Sequence, residues 1–503
     1  MKALIWDRLD QATRFLWALT LITLPVTSFR FMPFMGTDSQ VRPLSLIPAS
    51  FLFLLLVIKC FQQKKFLIWS NSLVPLLAFV LVALFSSAVG ILLAPVNLYQ
   101  YTYESRVVRA WISFGVGLLF FMVTFPMNRN ESDLRFTLKW LYWGIVAHLV
   151  WSCFQLLQFY VMGRLFEGLP LGNLVDAIQK KVMMAGLAPN GRISGLTLEP
   201  SWLAAQVAAI YLPWAVASLL KGYRWARGHW LIPAILAACT ALMLFTYSRS
   251  GVLIAVAAIL LTVPFAGWER LKQGWTWFTR PFTSKTTARR ALAIGLRGIT
   301  VLVILAGLGG GFFVLSHNHY FAQIWQTKPT NLVAYFVDIY AGPRLAYAWS
   351  GWTVFEQHPW TGVGLGGLGL YLHKALPDWS RFNIPEIAQL LSSDNLVYPN
   401  AENLYVRLLA ETGILGFWLF VSFYLLMLGK ALTLLRSSRK FLAFVGTAGL
   451  LAWFVIVALG FSQDSLAMPT IWFSFGLLVG IADLQKKVPV ARSNNNPVAT
   501  SQF

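Results

Sequence analysis

The run Thr246-Tyr247-Ser248-Arg249-Ser250-Gly251 sets one guanidinium between two charge-free stretches, Trp230 to Ser248 and Ser250 to Trp268. Arginine carries a rigid fork of donors that matches phosphate oxygens. A following helix start adds backbone N–H groups and a favourable dipole, with the Ser248 and Ser250 hydroxyls alongside. The run therefore reads as a phosphate site, against the plainer reading of an interfacial arginine snorkelling among head groups. Arg344, in GPRLAYAWSGW, offers a second cation; two arginines on a pyrophosphate would offset the charge building on a departing diphosphate. Glu402, in YPNAENLYVRLLAETGILG beside Asn400 and Asn403, is expected in the first turn of a helix. A carboxylate there suits the helix dipole, and it can also take the proton of an attacking hydroxyl. At its reference pKa of about 4.3 it would be ionised but weakly basic unless desolvated. In RISGLTLEPSWLA, Arg192, Glu199 and Ser201 precede another helix. Pro200 and Glu199 fit a helix start, and the acid and the arginine also suit contact with a polar head group.

These residues need a scaffold, and composition names its class. Of 503 residues 57% are hydrophobic and only 12% charged, with mean hydropathy +0.63, so the chain reads as an all-α polytopic integral membrane protein. At about 20 apolar residues per span, twelve helices are expected, near 12–28, 43–60, 70–94, 107–126, 139–161, 201–220, 229–247, 250–267, 297–315, 413–430, 441–461 and 466–484. Two basic residues precede the first run without an A-x-A-type cleavage site, so it is read as a retained span rather than a signal peptide. The net charge of +21 is not one basic block: with a cytoplasmic N-terminus, that side receives twenty-six of the 40 Lys and Arg residues. This is the positive-inside asymmetry. It argues against nucleic-acid binding and puts both termini in the cytoplasm.

Residues 1–484 form a single multi-span domain on this reading, and 485–503 a disordered cytoplasmic tail. Two outer loops, 162–200 and 316–412, are too long to be simple connectors. The second, between the ninth and tenth spans, is large and partly helical: 333–356 shows apolar residues every three or four positions, and a helix over 401–412 with Arg407 and Glu411 at i,i+4 runs into the tenth span. A transporter would show matching halves and mid-membrane ionisable groups. Apart from His148 the spans are nearly free of them. GVGLGGLG at 362–369 contains G-x-G-x-x-G but lacks the βαβ context of a dinucleotide site, so it reads as a glycine turn. None of the six histidines has metal-ligand spacing, Cys60, Cys153 and Cys239 suggest no disulfide framework, and neither metal nor cofactor is expected.

Together, YSRSG, RLAYAWSGWTVFEQHPWTGVGLGGLG and ENLYVRLLAETGILGFW resemble the bacterial O-antigen ligase and polymerase family, over roughly 190–430. The resemblance implies a glycosyltransferase at the periplasmic side of the inner membrane, in which an acceptor hydroxyl attacks an undecaprenyl-diphosphate-linked glycan with inversion, without metal or nucleotide sugar. Arg249 and Arg344 correspond to diphosphate-binding arginines, and Glu402 stands where ligases of the family carry histidine. Arg192, Glu199, Ser248 and Asn403 are expected to contact substrate. The Glu-Pro-Ser of RISGLTLEPSWLA looks more like polymerases that extend O-antigen or exopolysaccharide. The alternatives are a ligase that attaches glycan to lipid A core or another acceptor, and, in another class, a lipid-linked oligosaccharide flippase. Implied partners are the lipid-linked donor, a glycan or lipid acceptor and a chain-length regulator.

Overall fold

A bilayer leaves no water for backbone N–H and C=O groups, so apolar runs of span length must satisfy themselves as helices. The computed structural model describes residues 2–33, 39–64, 69–94, 101–225, 228–279, 287–317, 319–391 and 398–485; the tail expected after 485 lies outside them. Among the described residues every regular element is a helix, and the only extended pairings are two isolated bridges, Ser28 with Arg42 and Phe29 with Met183. Nine helices among these residues are long and apolar enough to cross a membrane: Leu46–Gln63, Asn71–Leu92, Tyr103–Thr124, Glu131–Leu165, Pro200–Lys221, Arg249–Ala266, Ala291–Phe313, Leu404–Leu435 and Lys440–Leu459. The shorter apolar helices Leu231–Phe245 and Pro469–Asp483 and the charge-bearing helix Lys2–Thr23 stand at the other three expected positions. The chain is an all-α polytopic membrane protein.

The helices differ in how central they are. In Pro200–Lys221, rich in alanine, 83% of the apolar window is buried, whereas in Ala291–Phe313 none is. In Lys440–Leu459, Gly446 lies so close to the preceding helix that a Cβ would stand 2.2 Å from Leu435 N, an approach only small residues allow. Pro213 inside the Pro200 helix lacks an N–H, which frees the carbonyl of Ala209. The chain answers with a π-helical turn at Val207–Tyr211 and with Ser474, whose Oγ donates to Ala209 O at 3.1 Å.

The long outer loop is partly helical, with His319–Gln326, Leu332–Asp338, Gly342–Gln357, Gly369–Ala375, Asp378–Asn383 and Pro385–Leu390. The helix expected over 333–356 is two. Pro343 cannot continue a helix from its N-terminal side, and the chain turns at Tyr340 with φ +57° before restarting at Gly342. The glycine run is a turn packed into the bundle rather than an open loop: Gly364 N donates to Glu411 O at 2.9 Å, and its φ is +87°. Leu404–Leu435 contains one non-helical residue, Gly413, with φ 66° and ψ −176°.

The segment ahead of the Pro200 helix is fixed from within the bundle. Gln155 Oε1 accepts from Ser194 N and Gly195 N at 3.1 and 3.0 Å, and its amide donates to Gly195 O at 3.1 Å. His148 Nδ1 accepts from Leu196 N at 3.2 Å while its Nε2 meets Gln206 Oε1 at 2.9 Å. The one ionisable group singled out inside the spans thus works as a neutral clamp.

Two changes test this frame. Gln155→Leu leaves two buried N–H groups unsatisfied at about 1–3 kcal/mol each, so purified protein should melt at lower temperature and amide exchange should accelerate at 192–199. In Gly364→Ala a Cβ would stand 1.8 Å from Tyr103 Oη at a positive φ, so folded yield in detergent should collapse. Gly429→Ala, where a Cβ meets nothing within 4 Å, should leave yield unchanged.

Candidate functional site

The Ser248 hydroxyl caps the Arg249 helix, accepting from Gly251 N at 3.3 Å, so that N–H, expected for an anion, is taken by the chain itself. A Cβ on Gly251 would lie 2.4 Å from Ala204 Cβ, which explains a glycine where the Arg249 helix starts against the Pro200 helix. Arg192 Nε donates to Thr246 O at 3.0 Å, and Ile193 N to Phe245 O at 3.1 Å. RISG and TYSRSG are thereby stitched backbone to backbone. Arg249 Nη2 donates to Ile339 O, a carbonyl released by the break at Tyr340. That bond ties the hairpin to the start of the Gly342 helix and so to Arg344, which lies in its first turn.

Glu402 is not in a first helical turn. Asn403 takes the capping position, its Oδ1 accepting from Tyr405 N at 3.0 Å and Val406 N at 3.2 Å, as its short amide is well suited to do. Glu402, one residue earlier, is left-handed with φ +49°, and its carboxylate meets Arg344 Nε at 3.2 Å. Burial pushes the Glu402 carboxyl up to about 7; Arg344 pulls against that rise, while Glu386, Asp464 and Glu199 add to it. Glu386 is held above the usual carboxylate range by burial, opposed by Arg344 and by a hydrogen bond from Tyr347. A carboxylate tuned toward neutrality beside a cation is what an acid or base of catalysis requires.

The pair opens into a cavity of about 910 Å³ at the end of the bundle where the helices begun by Tyr103, Pro200, Arg249 and Leu404 start. Four arginines line it, Arg106, Arg109, Arg344 and Arg407, with four carboxylates, Glu199, Glu386, Glu402 and Asp464. Arg407 is paired with Glu411 at 3.1 Å, the expected i,i+4 contact. Its Nη1 also donates to Asp464 O at 2.9 Å. Among the described residues no group of three or more His, Cys, Asp or Glu side chains has the arrangement of a metal site.

Of the seven residues expected from sequence, Glu199, Arg344 and Glu402 line the cavity. Arg249 stands one residue from its lining residues Ser250 and Gly251, and Arg192, Ser248 and Asn403 are engaged with backbone. Arg106, Arg109, Glu386, Tyr398 and Asp464 were not expected. Their signal was present: YESRVVRA puts two arginines at one end of a span, and SQDS puts an acid between two spans.

No curated protein matches the chain. Residues 233–421 match the family model described as O-antigen ligase. The matched stretch holds Arg249, Arg344, Glu386, Tyr398, Glu402 and Arg407, while RISGLTLEPSWLA lies before it. Over that stretch, 189 of the 503 residues, the chain is similar to the O-antigen ligase family.

Proposed function

We propose that the cavity transfers a polyprenyl-diphosphate-linked glycan, undecaprenyl in a bacterial membrane, to an acceptor hydroxyl on the periplasmic side, extending O-antigen or exopolysaccharide repeats. The observation that carries this reading is Glu402: a carboxylate raised to about 7 in contact with Arg344, at the end of an apolar bundle. The twenty-six basic residues on the opposite side of the membrane support a cytoplasmic placement of both termini.

In the reaction Glu402 takes the proton of the acceptor hydroxyl as its oxygen attacks the anomeric carbon. The bond from that carbon to the diphosphate oxygen breaks, and the electron pair leaves with the diphosphate. Arg344, together with Arg249 of the hairpin, offsets the charge on the leaving group. Arg344 has a second effect. While it faces Glu402 it favours the charged, weaker base; once drawn to the diphosphate it lets the carboxylate become more basic. Donor binding then prepares the base. Arg192, Ser248 and Asn403 act by holding Arg249 and Glu402 in place, and Glu199 supplies a hydrogen-bond acceptor at the cavity wall.

The family description itself favours a second reading, a ligase that delivers finished chains to lipid A core or another acceptor. The two differ in what a deletion strain accumulates. Single repeats on the core, or lost secreted chains, indicate a polymerase; long chains stranded on the carrier lipid indicate a ligase. Movement of glycan across the membrane without new glycosidic bonds would return the flippase.

Glu402→Gln should lower turnover by about 10²–10⁴-fold with donor binding within twofold in a membrane assay; equal turnover would remove the base. The wild-type rate should rise with pH through about 7, where Glu402 loses its proton. Arg344 favours the ionised carboxylate, so Arg344→Ala should move that limb to higher pH besides slowing transfer. Arg249→Ala should cost about 10²–10³-fold, and Arg249→Lys should recover only part of it because lysine lacks the bidentate fork. Wild-type transfer by Arg249→Ala at normal protein level would dismiss the diphosphate role.

A further inference from the structure

The cavity draws its walls from two parts of the chain. Residues 233–421 give it Arg344, Glu386 and Glu402; residues outside that stretch give it Arg106, Arg109 and the turn Ser462-Gln463-Asp464-Ser465. Four consecutive polar residues line the cavity between two apolar helices, Lys440–Leu459 and Pro469–Gln485, and only Asp464 bears on the chemistry above, through its charge on Glu402. Arg407 anchors this turn through the main chain of Asp464 rather than through its carboxylate.

Two buried atoms of cavity-lining residues have no hydrogen-bond partner among the described residues: Arg106 Nε, a donor, and Asp464 Oδ2, an acceptor. The Arg106 guanidinium lies over Tyr398, 3.6 Å from the ring centroid, and feels the like charges of Arg109 and Arg407. A buried polar atom left unmatched costs about 1–3 kcal/mol, and native proteins keep few of them. A ligand that offered an acceptor to one and a donor to the other, with a small side-chain rotation, would remove both costs.

That requirement selects a chemical class. A phosphate satisfies Arg106 but is repelled by Asp464, whose charge already reaches Glu402. A hydrocarbon leaves both atoms unmatched. A sugar hydroxyl donates and accepts, and neighbouring hydroxyls on one ring present both functions a few ångströms apart. Ser462, Gln463 and Ser465 add partners of the same kind. The volume of about 910 Å³ stands in the upper part of the range of small-molecule sites, about 300–1,000 Å³, leaving room for a sugar beside a diphosphate.

We propose that Arg106, Gln463 and Asp464 form a sugar subsite that holds the acceptor glycan next to Glu402, a proposal that rests on the transfer reading of the cavity. The wall inside the family stretch handles the donor, and this wall selects which acceptor sugar is used.

The test uses the full-length protein in nanodiscs. The probe is the oligosaccharide freed by mild acid from the lipid-linked glycans of the source cells. Saturation-transfer NMR should show this oligosaccharide bound to wild type and should be insensitive to added inorganic diphosphate. Asp464→Asn and Gln463→Ala should each weaken that binding at least fivefold and raise the acceptor KM at least fivefold, with the donor KM within twofold. No binding to wild type, or both variants binding and transferring as wild type does, overturns the subsite. Equal rises in donor and acceptor KM overturn it too, because they mark a general structural defect. A wild-type protein that binds the oligosaccharide but transfers no glycan overturns the transfer reading and leaves a sugar site of another function.

Discussion

Glu402 and Arg344 meet at 3.2 Å, and much of the surrounding architecture bears on keeping that ion pair half-solvated. Fully exposed, the carboxylate would sit near its reference pKa and be a poor base; fully enclosed, the two charges would face a desolvation cost that their attraction seldom recovers. The side chains keep 47% and 37% of their exposure, at the end of an apolar bundle. There burial raises the carboxyl, and Glu386, Asp464 and Glu199 lift it further against the single opposing arginine. The compromise depends on geometry: Glu402 reaches Arg344 from a left-handed residue just before a helix, and that is possible because Asn403 does the capping.

Short polar side chains govern the ends of the helices throughout this region. Ser248 and Asn403 cap, Arg192 and Arg249 hold carbonyls, and Gln155 and His148 hold a loop of backbone that would otherwise be unsatisfied beside apolar helices. In a membrane protein this accounting is strict, since neither lipid nor packed helices supply donors or acceptors. Among the described residues some buried side-chain atoms lack a partner within the bundle, Tyr211 Oη and Tyr424 Oη for example, but Arg106 Nε and Asp464 Oδ2 are the ones whose residues line the cavity.

How much of this was legible in the sequence follows from what each residue competes with. The helices were readable because span-length apolar runs have one stable solution in a bilayer, and Arg407 with Glu411 was readable because i,i+4 spacing is local. Arg344 and Glu402 were recognisable as chemistry, but not as partners, since 58 positions of chain separate them and only the fold closes that distance. Glu402 was placed in the helix because a carboxylate suits the dipole. The structure differs because Asn403 caps the helix through its side-chain oxygen and leaves Glu402 just outside it. The break at Tyr340 was hidden by an apolar period that continues through it, although Pro343 marked the place. Arg106 and Asp464 were passed over because each looked like an ordinary interfacial charge until the bundle brought the starts of its helices and the 462–465 turn around one cavity.

The distribution of these residues along the chain carries a further consequence. Glu402, its paired arginine and the hairpin arginine all lie within 233–421, the part that matches the family model, whereas Glu199, Arg106, Arg109 and Asp464 come from outside it. Chemistry on a diphosphate leaving group is the same whatever sugar is attached, so in the proposed reaction one set of arginines would serve every donor. Acceptors differ in which hydroxyl is presented and in what flanks it, and a wall built from separate helices can change without disturbing the arginines proposed to hold the donor. The cavity sets four guanidinium groups beside four carboxyl groups, two of them raised toward neutrality. A diphosphate tips that balance toward negative, most strongly at Arg344. In the proposed reaction, the pair that must separate for the base to strengthen is the pair that an incoming diphosphate would pull apart.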